Sequence, residues 1–404
     1  MRFAVVNLGC KVNRVESDAA AARLSAAGWS AAPEAEADLV VVNTCTVTGE
    51  AEKKTRKAVR RALRESPAET VLVTGCAAAL DAAAFEAMDP RVRVVGKAEL
   101  ADALDELADA PSAKPAFAPL PTGSQFRTRV GVKVQDGCDN ACTYCIVHVA
   151  RGRATSRPAD EVVRECAALA REGVREVVLT GINLGSYRHD GARLPDLLER
   201  LLRETDGLGP QGAPPCRFRI SSIEPCDVSQ RLMELLACAE GRVCRHLHLP
   251  LQSGSSKVLR EMARPYDAAA YGELVRRLRR QVPEISLSTD IIVGFPGETE
   301  ADFAETLALA RSCGFSKIHV FPYSMREGTP ASARADQVPA SVKAARAAKL
   351  RALAAELRCA DRARRAGATE LALVEDAGRA TTESYHQVDA PAGASPGDLV
   401  PLRL

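Results

Sequence analysis

From about residue 127 onward, short apolar runs alternate with longer stretches of helical periodicity, and this alternation constrains the fold more than any other feature of the chain. Strand-like runs fall at 130–135, 176–180, 217–221, 245–249, 286–293 and 317–321, with helical patterns near 159–172, 194–205, 229–239, 267–281 and 300–313. Strand, helix and strand again is the pattern of parallel pairing. Repeated β/α units with no break into two sheets predict an incomplete β/α barrel. In such a barrel the reacting groups come from the carboxyl ends of the strands and the loops after them. The segments at those positions contain Gly181 and Asn183, Ser222 and Glu224, Gln252, and Gly294, in loops rich in glycine, proline and small polar residues.

Residues 1–110 show the same alternation on a smaller scale. Apolar runs at 3–8, 39–42, 71–74 and 92–95 are separated by helix candidates at 17–27, 51–65, 81–88 and 99–107, which predicts an open parallel α/β domain. Cys10, Cys45 and Cys76 each stand one to three residues past the end of one of the first three runs. The carboxyl ends of parallel strands share one edge, and ligands bind there. Three cysteines far apart in sequence therefore converge. Each could alone be a buried turn thiol, but their common topological position points to a three-thiolate metal site. The next helix carries Lys53, Lys54, Arg56, Lys57, Arg60, Arg61 and Arg64, either a solvated face or a surface for a phosphate backbone.

Residues 111–126 are proline-rich and read as a linker. Past it, Cys138-Asp-Asn-Ala-Cys142-Thr-Tyr144-Cys145 follows the first barrel strand. Three thiols leave one position of a four-ligand zinc or iron–sulfur site open. The competing readings are a cysteine-rich loop of buried small hydrophobes and a zinc knuckle with a distant fourth ligand. His246 and His248 alternate on one strand and point to one side; two histidines could be metal ligands, but with no third ligand suggested, hydrogen bonding inside a polar barrel is expected of them. Residues 339–365 form a long basic helical stretch, and 366–404 turn to short β-like runs at 371–374, 384–388 and 399–402. That tail predicts a small β module packed on the barrel, since under 40 residues rarely fold alone.

Composition excludes several classes. The chain has 404 residues, 46% hydrophobic and 26% charged, as in globular domains. A net charge of only +2 means that any nucleic-acid contact must come from local patches. Thirteen cysteines in a chain this long do not make a small secreted disulfide framework. Neither a signal peptide nor an apolar run of membrane-spanning length is present, so a cytoplasmic, non-membrane protein is expected. A monomer is expected by default.

The three-cysteine loop opening a six-unit barrel resembles the radical S-adenosylmethionine (SAM) enzymes. The whole chain is similar to their methylthiotransferase family: an N-terminal domain (1–110), the barrel with its trailing helix (127–365), and a module (366–404) like a short TRAM domain. The strings Asn43-Thr44-Cys45-Thr46-Val47-Thr48, Val134-Gln-Asp-Gly-Cys138, His246-Leu-His-Leu-Pro-Leu-Gln-Ser-Gly254 and Asp290-Ile-Ile-Val-Gly-Phe-Pro-Gly-Glu298 carry the resemblance. It implies that Cys138, Cys142 and Cys145 hold a 4Fe–4S cluster that binds SAM. It implies too that Cys10, Cys45 and Cys76 hold an auxiliary 4Fe–4S cluster from which sulfur is delivered. Tyr144, Gly181, Asn183, Ser222, Glu224, Gln252 and Gly294 are the implied SAM contacts. Gly9-Cys10-Lys11-Val12-Asn13 is similar to the branch that methylthiolates adenine C2 of threonylcarbamoyladenosine at tRNA position 37, beside the anticodon. The other branches act on isopentenyladenosine tRNA or a ribosomal protein. A low-potential flavodoxin- or ferredoxin-like electron donor is implied as partner. From a different class, a non-catalytic iron–sulfur electron carrier or RNA-binding protein on the same barrel predicts no cleavage of SAM.

Overall fold

The computed structural model describes residues 1–46, 49–109, 128–212, 214–376 and 378–404. The proline-rich stretch expected as a linker lies outside the described residues. The chain divides into two units. The first comprises the described residues of Met1–Leu120 with Gly137–Asp139 and Cys145–Arg153, and the second comprises the rest.

The first unit is built on a parallel sheet of β1 (Arg2–Asn7), β2 (Ser30–Ala31), β3 (Leu39–Thr44), β4 (Thr70–Gly75) and β5 (Val92–Val94), in the order β2-β1-β3-β4-β5. All six residues of β3 are buried, because a central parallel strand is covered on both faces. Its helices are α1 (Lys11–Ala26), α2 (Gly49–Glu65), α3 (Cys76–Leu80), α4 (Ala82–Glu86) and α5 (Leu100–Leu107). Helix α1 begins at Lys11, six residues before the start expected from its periodicity. The β-branched Val12 and Val15 and the polar Asn13 have modest helix propensity, but burial of Val12 and Asn13 overrides it.

In the second unit the strands Arg129–Lys133, Glu176–Thr180 and Arg217–Ile220 form one parallel sheet, and His246–His248, Ser286–Val293 and Lys317–Pro322 another. Parallel bridges from Phe218 to Val243 and from Ser222 to His248 join the two, so the strands run in chain order around an incomplete barrel. Amphipathic helices cover it. In Leu194–Glu204 the buried residues Leu194, Leu197, Leu198 and Leu201 recur at helical spacing, each contributing about 1.5–3 kcal/mol. Helix starts carry the expected caps: Asp267 accepts from the Ala270 amide, and Thr299 with Asp302 forms a reciprocal capping box.

The C-terminal sheet is antiparallel, in the order Gln387–Asp389, Arg379–Thr382, Thr369–Asp376, Leu399–Arg403. The strand Arg379–Thr382 is absent from the sequence reading. The pattern places a run at 384–388; the chain turns through Tyr385 at φ +70° and pairs as a strand only from Gln387 to Asp389.

This sheet closes the amino-terminal end of the barrel through a buried ion cluster. Arg217 Nε and Arg219 Nε each lie 2.7 Å from a Glu176 carboxylate oxygen, and all three side chains are at most 1% exposed. The same guanidiniums donate to the carbonyls of Leu371 (2.8 Å), Thr382 (3.0 Å) and Glu383 (3.0 Å). Burial alone would raise the Glu176 carboxyl; Arg219 and Arg217 outweigh it and hold it well below the usual carboxylate range. Such a depressed group contributes stability above its unfolded pKa of about 4.3, and loses it as pH falls through the folded value. Glu176→Gln should cost about 3–5 kcal/mol at pH 7, because two buried guanidiniums lose their charge partner. In denaturant titrations the gap from the wild type should narrow on acidification below about pH 4. A gap of the same size at every pH would show that the charge is not what holds the two sheets together.

Candidate functional site

In the first unit, parallel register brings the three strand-end cysteines to one edge. Asn7 is paired with Asn43, and Asn43 with Thr74. Cys10, Cys45 and Cys76 follow these positions by two or three residues. Gly75 makes the last turn possible. It holds φ +97°, and a Cβ there would stand 2.5 Å from Asn43 Oδ1 and from the Thr44 carbonyl oxygen.

Asn13, in the first turn of α1, ties the edge together. Its Nδ2 donates to Asn43 Oδ1 at 2.7 Å and to the Thr44 carbonyl at 2.8 Å. Its Oδ1 accepts from Cys10 Sγ at 3.3 Å and from Arg151 Nη2 at 3.0 Å. Arg151 in turn places Nε 3.2 Å from Cys76 Sγ and Nη1 3.1 Å from Glu16 Oε1, with its side chain 1% exposed. Lys97 Nζ reaches the same sulfur at 3.5 Å. A network therefore runs from the Cys10 sulfur through Asn13 and Arg151 to the Cys76 sulfur. Cys45 and Cys76 are buried and Cys10 is exposed. Two cationic N–H donors thus meet at the one Cys76 sulfur.

The Cys138–Cys145 loop is divided between the units: Cys138 and Cys145 cluster with the first, Cys142 and Tyr144 with the second. The Cys138 amide donates to the Gly152 carbonyl at 3.1 Å. A Cβ on Gly137 would lie 1.9 Å from the Arg153 carbonyl oxygen, so only glycine allows this approach. The Val147 amide donates to Cys145 Sγ at 3.4 Å.

In the second unit, Arg264 organises the loop face. Its Nη1 lies 3.1 Å from Cys142 Sγ and 3.5 Å from Tyr144 Oη, Nε meets Tyr266 Oη at 3.1 Å, and Nη2 pairs with Glu224. It is 9% exposed. Burial works against its charge, and Tyr144 and Glu224 outweigh that, so it stays protonated. Ala263, at φ +55°, turns the chain back to aim it. The Thr143 amide and hydroxyl donate to the Met262 and Glu261 carbonyls at 3.1 and 2.9 Å, anchoring the cysteine loop. Tyr144 packs with Val258, Met262, Phe295 and Tyr323.

The other sequence-expected residues lie at the carboxyl ends of the barrel strands. Asn183 is spent on the protein. Its Nδ2 donates to Asp227 (3.0 Å), its Oδ1 accepts from the Gly185 and Glu224 amides, and its own amide donates to Gln135 Oε1 (2.9 Å). Gly181 sits over that same Gln135 side chain. The Ser222 carbonyl accepts from the Leu184 amide at 3.1 Å. Gln252 holds φ +65°, an outlier for a non-glycine residue and one found disproportionately at ligand sites. The Gly294 amide donates to Glu298 Oε2 at 2.9 Å. Glu298 is pinned by Arg346 of the long helix Ala340–Arg364 at 2.9 Å. Burial raises the Glu298 carboxyl, against the pull of Arg346 and the two loop amides.

His246 Nε2 and His248 Nδ1 both meet Ser288 Oγ at 3.0 Å, the expected polar barrel interior. Asp290 and His319 also gather at His248, with Asp290 3.3 Å from its Nε2. Both nitrogens of the His248 ring are thereby occupied by protein groups. Burial pushes the Cys216 and Cys313 thiols up to about 12 and Cys244 to about 11, so they stay neutral core residues. Cys226 is also raised to about 11, by burial and then by the Asp227 and Glu224 charges, which suits no thiolate role.

On the basic helix α2, Arg56 pairs with Asp81 (3.0 Å), Arg61 with Glu34 (2.6 Å) and Arg64 with Glu65 (2.7 Å). Lys53, Lys57 and Arg60 are exposed and have no carboxylate partner among the described residues. Sequence reasoning missed Asn13, Lys97, Arg151 and Arg264 as site residues. Asn13 stands three residues after Cys10, at helical spacing, a signal that could have found it. Arg264 has none, because Glu224 and Cys142, which it joins, are 40 and 122 positions away.

Residues 132–310 match the Radical SAM superfamily, and residues 2–96 match the uncharacterized protein family UPF0004. The threonylcarbamoyladenosine tRNA methylthiotransferase MtaB of Bacillus subtilis is 36% identical over 366 residues, 87% of this chain and 79% of that protein. The chain belongs to the radical SAM methylthiotransferase family. It is a radical SAM methylthiotransferase, and its cofactors are SAM and 4Fe–4S clusters, one of them auxiliary. The MtaB of Thermotoga maritima is 37% identical over 84% of this chain and 78% of its own length. The tRNA-2-methylthio-N(6)-dimethylallyladenosine synthase of Thermus thermophilus is 38% identical over 87% of this chain and 76% of its own length. The radical SAM methyltransferase TsrM of Kitasatospora setae shares the fold, with a TM-score of 0.59 at 16% identity over 82% of this chain and 77% of that one. Among the described residues no helix is long and apolar enough to cross a membrane.

The thiols with cationic donors fit iron–sulfur ligation, in which hydrogen bonds to sulfur tune the cluster. Asn13→Ala should cost about 1–3 kcal/mol, the penalty for buried polar groups left unpaired, seen as a lower thermal midpoint. It should also expose Cys76 to faster alkylation in the iron-free protein. Unchanged stability and alkylation would mean that the network does not hold the strand ends.

Proposed function

We propose that the chain methylthiolates adenine C2 of threonylcarbamoyladenosine at tRNA position 37. The observation that carries the substrate is Gly9-Cys10-Lys11-Val12-Asn13, a run similar to that of this branch, in which Cys10 and Asn13 enter the strand-end network. Relatives of that name, covering 84–92% of this chain, support it. A tRNA substrate is common to both kinds of relative. The dimethylallyladenosine synthases are equally similar in overall identity, so isopentenyladenosine tRNA is the second reading.

We assign Cys138, Cys142 and Cys145 to the SAM-binding cluster and Cys10, Cys45 and Cys76 to the auxiliary one. When bound, these groups supply the one-electron and sulfur-transfer chemistry that no side chain here provides. The protein's part is positioning and charge. Arg264 donates to the Cys142 sulfur and fixes Glu224; Arg151 and Lys97 donate to Cys76. Tyr144, Gly181, Ser222, Gln252 and Gly294 form the SAM contact set. Asn183 and Glu224, committed to protein partners, act as positioning residues within it. Lys53, Lys57 and Arg60 of α2 are the cations left for tRNA phosphates. A flavodoxin- or ferredoxin-like donor supplies electrons to a monomeric enzyme in the cytoplasm.

Anaerobically reconstituted protein should hold about eight irons, enough for two 4Fe–4S clusters. The Cys138→Ala/Cys142→Ala/Cys145→Ala triple variant should keep about half. Zinc in place of iron, or no loss in the variant, would remove the two-cluster assignment. For the substrate, nucleoside mass spectrometry of tRNA from a strain lacking the gene should show loss of 2-methylthio-threonylcarbamoyladenosine and accumulation of its precursor. Loss of the methylthiolated isopentenyladenosine instead would move the assignment to the second reading.

A further inference from the structure

A cavity of about 160 Å³ opens where the amino-terminal end of the barrel, the long basic helix and the C-terminal sheet meet. At about 30 Å³ per water, it has room for a phosphate-sized group and some hydration. Arg129 and Lys317, each the first residue of a barrel strand, line it together with Arg358 of the helix. Thr381, Tyr385 and His386 line it from the C-terminal sheet and its turn. This end is opposite to the strand ends that carry the candidate SAM contacts.

The charges in the cavity do not cancel. Arg129 is paired with Glu375 at 2.5 Å, and His386 with Asp361 at 2.8 Å. Lys317 and Arg358 are exposed and have no carboxylate partner among the described residues. Thr381 is 2% exposed, and its buried hydroxyl has no hydrogen-bond partner, an exception that calls for a ligand or a water. The Tyr385 ring is faced by the Arg129 and Arg219 guanidiniums at 5.2 and 4.8 Å, each already paired with a carboxylate, and by Lys317 Nζ at 6.0 Å, which has none among the described residues. Two uncompensated cations beside an unsatisfied hydroxyl match a group with several acceptor oxygens and more than one negative charge.

We infer that this cavity binds a phosphate group, with Lys317 and Arg358 supplying the charge and Thr381 the hydroxyl donor. The group belongs either to an RNA backbone or to a free phosphate compound. The site stands whichever nucleoside is methylthiolated.

The test is calorimetric titration of the reconstituted holoenzyme with inorganic phosphate, against chloride at matched ionic strength. Saturable binding should appear, weakened at least tenfold in Lys317→Ala/Arg358→Ala and about threefold in Thr381→Val. The Thr381 hydroxyl has no partner to lose, so that variant keeps its fold, as a circular dichroism melt will verify. Lys317→Arg/Arg358→Lys should retain binding. A tRNA arm separates the sources. If the phosphate is part of the RNA backbone, inorganic phosphate displaces tRNA at matched ionic strength. The double alanine variant then also lowers the slope of log affinity against log salt by about one. If the phosphate is free, the double variant loses phosphate and keeps tRNA affinity and slope. No saturable phosphate binding to the wild type, or equal affinity in all variants, overturns the proposal.

Discussion

Parallel pairing is the constraint on which the rest of this structure depends. A strand that must re-enter its sheet in the same direction sends the chain back across one face, and every strand then ends at the same edge. The first unit uses that edge for Cys10, Cys45 and Cys76. The second uses it for the loops of Gly181, Ser222, Gln252 and Gly294. Neither group of residues is contiguous in sequence, and in both the backbone topology gathers them. The glycine at 75 shows how tightly the edge is built, since even a methyl group there would collide with Asn43 and Thr44.

Gathering thiols is not sufficient for a metal site; hydrogen-bond donors also have to reach the sulfurs. Arginines meet this need in both units. Arg151 reaches Cys76 and Arg264 reaches Cys142, each as part of a network that also holds a carboxylate, Glu16 or Glu224. A guanidinium has a rigid fork of donors and stays protonated when buried, so it can serve a sulfur and a carboxylate at once. The same property appears at the other end of the barrel, where Arg217 and Arg219 divide their donors between Glu176 and the carbonyls of the C-terminal sheet. That buried cluster attaches a module of under 40 residues, too small to rely on its own core of Ala372, Val374 and Ala380.

Much of the fold was legible because it is written in short-range pattern. The strands at 176–180, 286–293 and 317–321 and the helix at 300–313 stand within a residue of expectation, since hydrophobic spacing and caps are local signals. The pattern failed where tertiary contact overrode propensity. Helix α1 starts early because Val12 and Asn13 are drawn into the core. The strand Arg379–Thr382, with its small and polar residues, is held by pairing on both sides.

The sequence by itself determined the class of fold, the two cysteine triplets and, through its motifs, the family. Those properties reside in spacing along the chain, and spacing survives in any conformation. Only the tertiary structure decided which side chains attend the thiols, which loop residues are already spent on protein partners, and which cations remain without a carboxylate. Lys317 and Arg358 read as ordinary surface charges in sequence, and Thr381 as an ordinary threonine. Their significance lies in sharing one cavity, and that depends on how a barrel, a helix and a small sheet meet.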